Sequence, residues 1–166
     1  MWDKISKHFS KYPAQNRVAQ LMFEQGLNVK NGTAYCGTVS ITDTALAKAA
    51  DTDRRTVLAT IATIENVEEL NVIFTRLQST CSFKEVAPYM GWGVLEIIPE
   101  EVSGIGILAG TSRIIADAGI SVRQAIVDDP EIHEDPRAFI ITERPIPGAL
   151  LPKIKAVKGV KGVVIY

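Results

Sequence analysis

The chain has few of the features that would assign it quickly to a class of protein. Only two of its 166 residues are cysteine, Cys36 and Cys81, and they form neither a disulfide framework nor a metal-ligand pattern. Its 18 Lys+Arg and 19 Asp+Glu give a net charge of −1, so neither sign dominates. No apolar run approaches the roughly 18 residues of a membrane span, and the first residues lack the apolar segment of a signal peptide. We therefore expect a soluble, cytoplasmic protein with free thiols.

Motifs for catalysis are also missing. The sequence contains no G-x-S-x-G, no P-loop, no H-E-x-x-H and no Cys/His cluster. His8 lies in a predicted terminal helix and His133 in a loop, and neither has an evident Ser or Cys partner. The acidic loop at 128–136 has no recognised metal-ligand spacing and contains two prolines, which favours a solvated loop. We expect no enzyme activity, no cofactor and no metal.

The sequence divides into a front part, 1–90, that is predicted to be mostly helical and a back part, 91–166, with alternating strands and helices. Short helices are predicted before Pro13 and over 14–25, where Gly26 provides a natural stop. Asn31-Gly32 is a strong hairpin signal between 27–30 and 33–36. This hairpin is either a wing or a structural strand pair that supports the helices.

Two short helices with a tight turn are predicted within 41–64, ITDTALAKAADTDRRTVLATIATI. Thr42 can cap the first helix and Asp53 the second. Ala47 stands where two closely crossing helices need a small side chain. Asp51 follows four residues later, in the turn, where helix-turn-helix motifs usually carry a left-handed glycine. Val57 and Ile61 anchor the second helix to the core.

This pattern predicts a (winged) helix-turn-helix whose second helix enters the major groove of double-stranded DNA by its first turn. Arg can bind guanine or phosphate, and Thr does so more weakly. The alternative is an ordinary solvated helical hairpin, since residues 1–90 carry only 10 Lys+Arg against 9 Asp+Glu and any DNA binding needs a local cluster. The predicted DNA-binding residues are Thr42, Thr44, Arg54, Arg55, Thr56 and Thr60.

The back part is predicted to have the order βαββαβ of the split βαβ, ferredoxin-like arrangement. Strands are expected at 94–100, 120–128, 137–143 and 160–166, with helices at 105–118 and 149–157. The strands carry adjacent apolar residues, such as Ile140-Ile141 and Val163-Val164, which point to opposite faces. One face covers the helices, so a second copy is the simplest cover for the other, and we predict a homodimer or larger assembly.

The segment PEEVSGIGILAGTSRIIADAGISV, at 99–122, resembles the start of an ACT domain, the regulatory module of many enzymes of amino-acid metabolism. The turn matches at Ser103–Gly106 and the start of the second strand at Gly119–Val122. GWGVLEIIP and RQAIVDDPEI strengthen the match. The resemblance covers 92–166. With the preceding motif, the chain resembles predicted regulators of amino-acid metabolism that have an N-terminal helix-turn-helix and a C-terminal ACT domain.

The resemblance implies a site for a free amino acid or a related small carboxylate. The amides at the helix N-terminus can hold a carboxylate, and Ser121 can bind an ammonium or side-chain group. The turn lacks the family's usual Asp and Pro, and Ser121 replaces its usual Asn. The alternative is a domain used for dimerisation only. The implied ligand-binding residues are Ser103, Gly104, Ile105, Gly106, Ile107, Ser121 and Val122.

Together these features predict an amino-acid-responsive transcriptional regulator. The rival hypothesis is a regulatory protein that does not bind DNA and docks on an amino-acid biosynthetic enzyme, with the helical part as its docking surface. A third is a ligand-binding dimer of unknown output.

Overall fold

Helices and two separate antiparallel sheets make this a mixed α+β chain. The structure is a computed structural model and describes residues 2–101 and 104–166. The chain forms two compact units, of which the first ends at Cys81 and the second runs from Ser82 to Tyr166. In the described residues no helix is both long and apolar enough to cross a membrane.

The first unit packs short helices around a small three-stranded sheet of order β1-β2-β3. Its core combines apolar side chains from all the helices, and Ile5, Phe9, Met22, Ile64, Leu70 and Phe74 are fully buried. Its elements are α1 (Trp2–Ser6), a 3-10 helix (Lys7–Phe9), α2 (Pro13–Glu24), β1 (Asn28–Lys30), β2 (Thr33–Cys36), β3 (Val39–Ile41), α3 (Asp43–Ala49), α4 (Arg54–Asn66) and α5 (Glu68–Phe74).

The predicted stop of α2 at Gly26 is confirmed. Gly26 has φ +63°, and the amide of Leu27 donates to the carbonyl of Met22 over 2.8 Å, which is the pattern of a Schellman cap. A Cβ at Gly26 would lie 2.7 Å from the carbonyl oxygen of Gln78. Glycine is therefore required here for its backbone conformation and for the close approach of a neighbouring segment.

The hairpin predicted at Asn31-Gly32 is present, and a third strand that the sequence did not predict extends it. The amide of Gly32, at the tip, donates to Oε1 of Glu65 in α4 over 2.7 Å. The tip is thereby fastened to the helical part of the same unit.

The second unit has the predicted order βαββαβ, with a four-stranded antiparallel sheet of order β5-β6-β4-β7, as in the split βαβ arrangement. One face packs on the helices through Leu95, Ile97, Ile115, Ile140 and Ile154. The elements are a 3-10 helix (Pro88–Met90), β4 (Gly93–Pro99), α6 (Ile107–Asp117), β5 (Val122–Val127), β6 (Ala138–Thr142), a 3-10 helix (Gly148–Leu150), α7 (Leu151–Lys155) and β7 (Val160–Ile165).

The other face of this sheet is partly covered by the chain's own residues, although a second copy was the predicted cover. Phe83, Ala87 and Trp92 pack on Val94 and on apolar residues of β6. The segment 82–92 thus belongs to the second unit, and the division falls at Ser82 and not at the predicted residue 91. The apolar residues of 82–92 are too few and too irregularly spaced to indicate a sheet contact by pattern alone.

Candidate functional site

The turn between α3 and α4 has the geometry that the spacing predicted. Thr42 caps α3, and its Oγ1 accepts from the amide of Ala45 over 3.2 Å. Asp51 has φ +48° and is one of two described non-glycine residues with positive φ. The amide of Thr52 donates to the carbonyl of Ala47 over 2.9 Å, so α3 ends in a Schellman cap with Asp in the left-handed position. Ala47 is buried, 5% exposed, as expected of the small side chain at a close helix crossing.

Arg17, from α2, holds this turn in place. Its Nε donates to the carbonyl of Ala50 over 3.4 Å, and its Nη2 donates to the carbonyl of Asp51 over 3.2 Å. These carbonyls belong to the C-terminal end of α3, where a cation is favoured by the helix dipole. Arg17 was not predicted as part of this turn, because the contact spans 33 to 34 residues and has no local signature.

Asp53 caps α4, as predicted. Its Oδ1 accepts from the amide of Thr56 over 2.9 Å and its Oδ2 from the Thr56 hydroxyl over 3.2 Å. The hydrogen bond from the Thr56 amide, opposed by desolvation, lowers the pKa of Asp53 below its ordinary value. The Thr56 hydroxyl is thus engaged within the cap, which reduces its availability to a ligand.

Arg54 and Arg55 stand in the first turn of α4, and both are exposed. The Nε of Arg54 donates to Oδ2 of Asp43 over 3.2 Å, with the Arg54 side chain 68% exposed and that of Asp43 17% exposed. The pair joins the first turns of α3 and α4. It also places a carboxylate beside the predicted DNA-binding cation, a contact that has no local signature in the sequence.

A shallow groove of about 280 Å³ lies beside the first turns of α3 and α4. It brings together three of the predicted DNA-binding residues, Thr42, Thr44 and Arg54, with Asp43 and with strand residues that were not predicted. Its lining is Thr33, Ser40, Ile41, Thr42, Asp43, Thr44 and Arg54.

The prediction that Thr60 faces outward is wrong. Thr60 is fully buried, and its hydroxyl donates to the carbonyl of Thr56 over 2.8 Å. It lies three residues after Val57 and one before Ile61, so it falls on the same helical stripe as those two anchors. Thr60 therefore serves the core of the first unit and is not part of any nucleic-acid surface.

In the second unit, Gly104, Gly106 and Ile107 line a cavity of about 430 Å³ beside the first turn of α6. Gly106 has φ +88° and precedes the helix without a side-chain cap. Ile105 is 97% exposed and does not line the cavity. Ser103 lies outside the described residues. The remaining lining is mostly apolar and comprises Ile97, Pro99, Leu108, Ala109, Ser112, Val127, Asp128, Pro136, Arg137 and Ala138.

Ser121 and Val122 do not join this cavity, so the structure separates the two predicted groups of ligand-binding residues. They line a second cleft, of about 450 Å³, with Phe83, Trp92, Arg123 and Glu143. The reason is geometric. The eleven residues of α6 span roughly 16 Å at 1.5 Å per residue, and β5 starts only after α6 ends. The two groups belong to one motif in the sequence, but this does not bring them together in the fold.

Among residues 2–101 and 104–166, no group of three or more His, Cys, Asp or Glu side chains could hold a metal ion. In the acidic loop, the guanidinium of Arg137 instead donates to Asp135 and to Glu96.

Comparisons with known proteins find weak likenesses only. The chain matches no protein-family model, and no curated protein matches it significantly. It is similar to an AsnC family transcriptional regulator from Agrobacterium tumefaciens, with 15% identity over 92% of this chain and 86% of that one and a TM-score of 0.28. AsnC from E. coli gives 12% identity, 93% and 89% coverage, and a TM-score of 0.25.

A homoserine dehydrogenase from Thiobacillus denitrificans is 20% identical over 73% of this chain, with a TM-score of 0.36. This chain spans only 26% of that enzyme's length. Similarity at this level does not show a shared function.

Proposed function

We propose that the chain is a DNA-binding transcriptional regulator and not an enzyme, and that its second unit senses an amino acid or a related small carboxylate. The observation that carries the proposal is the motif at residues 42–60. Two capped helices meet at a left-handed Asp51, with Arg54 and Arg55 exposed in the first turn of the second helix. That turn is the part of a recognition helix that reaches base edges and phosphates.

The electrostatics of the first unit favour a small, local contact. The front part is nearly neutral, and its opposing charges include the carboxylates of Asp43 and Asp53, which lie beside the exposed arginines. A pair of such units, brought together by the second units, would double the number of phosphate contacts. A palindromic operator is the expected target of a symmetric dimer.

Dimerisation is part of the proposal, because the second unit keeps apolar surface after segment 82–92 has covered part of its sheet. Val164, Ile165 and Tyr166 are 38%, 38% and 60% exposed at β7, which lies at one edge of the sheet. An exposed edge strand with apolar side chains favours association. Sedimentation equilibrium of the whole chain measures the oligomeric state, and a monomer would remove the dimer from the proposal.

For the sensor, the support is the cavity at α6. The amides of the first turn of α6 favour a carboxylate, and the mostly apolar lining suits an aliphatic body.

DNA binding is tested by selecting duplexes from a random double-stranded library with the purified chain and measuring the affinity of the selected sequence by fluorescence anisotropy. The double variant Arg54→Ala/Arg55→Ala is expected to lose the selected binding. Arg76→Ala is the matched control, because Arg76 is an exposed arginine that follows the end of α5 and donates to the carbonyl of Val72. Equal loss in the control, or no loss in the double variant, would exclude α4 as the recognition helix.

One observation favours a second candidate, a docking module for an amino-acid biosynthetic enzyme. Asp43 pairs with Arg54 and thereby neutralises part of the charge that DNA binding needs. If the library selection enriches no sequence while a pull-down returns one such enzyme, the docking function replaces DNA binding.

A further inference from the structure

The cleft at the start of β5, which we name the Trp92 cleft, is lined by Phe83, Trp92, Ser121, Val122, Arg123 and Glu143. It combines an aromatic wall, a guanidinium and a carboxylate in about 450 Å³. That volume is within the usual range of small-ligand pockets. The cleft lies at the opposite end of α6 from the cavity beside Gly106.

A β-bulge builds the cleft. The register of β5 against β6 shifts between Val122 and Gln124, so Arg123 is the extra residue. Successive side chains of a regular strand point to opposite faces. Here Arg123 stacks on Trp92 while the side chain of Gln124 accepts from the amide of Phe83 over 2.9 Å. Arg123 and Gln124, although adjacent, therefore both contact the segment 82–92. This is expected of a bulge, which changes the direction of a side chain.

The guanidinium of Arg123 is held in position by an aromatic pair. Its Cζ lies 4.2 Å from the centroid of the Trp92 ring. Trp92 is itself fixed by an edge-on contact with Phe83, with centroids 5.7 Å apart and planes at 87°. Stacking on the ring face leaves the guanidinium edge available to donate, and two parallel N–H groups match a carboxylate. Such preorganisation lowers the entropy lost on binding.

The carboxylate of Glu143 is fixed at the same cleft. Its Oε1 accepts from the amide of Ser121 over 3.2 Å, and the amide of Glu143 donates to the carbonyl of Ser121 over 3.0 Å. One carboxylate oxygen is thus anchored by the backbone of Ser121. The other oxygen is the natural acceptor for an ammonium group, because an ionised acceptor makes the stronger hydrogen bond.

We propose that the Trp92 cleft binds a zwitterionic α-amino acid with an apolar side chain, with Arg123 holding its carboxylate, Glu143 its ammonium group, and Val122 and the aromatic pair its side chain. A dicarboxylate would bring a second negative charge beside Glu143, and a polyamine would bring a positive charge beside Arg123. A zwitterion offers an opposite charge to each of the two groups. This inference rests on the proposed sensor function for the class of ligand, and it adds a candidate site at β5 that is separate from the cavity at α6.

The test is direct binding of L-leucine and L-phenylalanine to the whole chain, measured by titration calorimetry without DNA. A Trp2→Phe background makes Trp92 the only tryptophan, so the fluorescence of Trp92 reports occupancy of the cleft. We expect at least one of the two to bind saturably and to change that fluorescence. Arg123→Gln and Glu143→Gln should each weaken binding at least about tenfold, the usual loss for a hydrogen bond to a charged group.

Analogues of the bound amino acid assign the two charges separately. The N-acetyl derivative lacks the ammonium group, and Glu143→Gln should change its affinity little. The carboxamide lacks the carboxylate, and Arg123→Gln should change its affinity little. Arg113→Gln is the matched control, because Arg113 is exposed on α6 and pairs with Asp117 over 2.9 Å; it should bind as the parent does.

Ala109→Leu, which places a larger side chain at the α6 cavity, separates the two candidate sites. Binding that survives in Arg123→Gln and Glu143→Gln but is lost in Ala109→Leu would overturn the proposal, as would absence of binding by both amino acids. Glu143→Gln is an isosteric change at a residue that follows the end of β6. It therefore still tests the cleft if Arg123→Gln does not fold. Since the titration contains no DNA, failure of the chain to bind DNA would leave this result unchanged.

Discussion

Arg54 donates its Nε to Oδ2 of Asp43 over 3.2 Å, and this pair joins the first turns of α3 and α4. We predict that Asp43→Asn raises the affinity of the chain for double-stranded DNA. The substitution removes one negative charge and the carboxylate that competes with phosphate for Arg54. Fluorescence anisotropy over a range of salt concentrations should give a slope of log K against log[salt] that is steeper by about 0.9 if Arg54 gains one phosphate.

Thr60→Val is the control for that experiment. Because Thr60 is buried in the core, this substitution should leave both the affinity for DNA and the salt slope unchanged. Weaker DNA binding by Asp43→Asn would mean that the pair positions Arg54 for its contact and does not compete for it.

The cap of α3 makes a second prediction, concerning stability. Thr42→Ala removes the side-chain oxygen that accepts from the amide of Ala45, and should lower the free energy of unfolding by about 1 kcal/mol. Thr44→Ala is the matched control, since Thr44 belongs to α3 and its side chain is exposed to solvent. Urea unfolding of both variants provides the measurement. An equal midpoint for the two variants would show that α3 does not depend on its cap.

The left-handed turn gives a third prediction. Asp51→Gly should be neutral or stabilising by less than about 1 kcal/mol, since glycine adopts φ +48° without the steric cost that a Cβ brings. Asp51→Val should destabilise by more than about 1 kcal/mol, because a β-branched side chain is poorly tolerated there. Unfolding midpoints in urea rank the three proteins. A parent less stable than Asp51→Val would contradict the assigned backbone conformation.

The features that could be predicted from the sequence are those with a local cause. Thr42 and Asp53 cap helices through bonds to residues three positions later, and Asp51 is recognised by its spacing from Ala47. The βαββαβ order follows from changes of hydrophobic period along the chain. The outward prediction for Thr60 is wrong for an equally local reason, because its i+3 spacing from Val57 places this polar side chain on the buried stripe.

What the sequence could not reveal depends on contacts between distant residues. Arg17 reaches the turn after α3 from 33 residues away, and Asp43 meets Arg54 only because two helices cross. The bulge at Arg123 exists through pairing with β6, and its contact with Trp92 needs segment 82–92 to lie on the sheet. The two groups of predicted ligand-binding residues share a family motif in the sequence, but α6 holds them apart in the fold.

The crossing of α3 gives a fourth prediction. Ala47→Leu should destabilise the first unit by about 1–3 kcal/mol, because Ala47 is 5% exposed and extra methyl groups force the neighbouring helices apart. Ala49→Leu should have little effect, since Ala49 is exposed on the same helix and leucine is nearly as good a helix former as alanine. Thermal unfolding followed by circular dichroism compares them. Similar losses in both variants would indicate a propensity effect and contradict close packing at Ala47.

The last prediction concerns Tyr166, whose hydroxyl donates to Oε2 of Glu96 over 2.5 Å. This hydrogen bond to a carboxylate, with desolvation as a smaller cause, raises the pKa of Tyr166. Subtracting the alkaline absorbance titration of Tyr166→Phe from that of the parent should isolate a phenol that ionises above about pH 10, the ordinary value for tyrosine. Glu96→Gln should move that midpoint downward.

The linkage sign follows from the raised pKa in the folded chain. The folded state keeps its proton more tightly than the unfolded state, so the stabilisation from Tyr166 is fully present below the unfolded pKa. It is lost as the pH rises through the folded pKa. The parent should therefore lose more stability than Tyr166→Phe when urea unfolding is repeated from neutral to strongly alkaline pH. Identical losses would show that the Tyr166 hydroxyl does not bond Glu96 in solution, and that β7 ends without this contact.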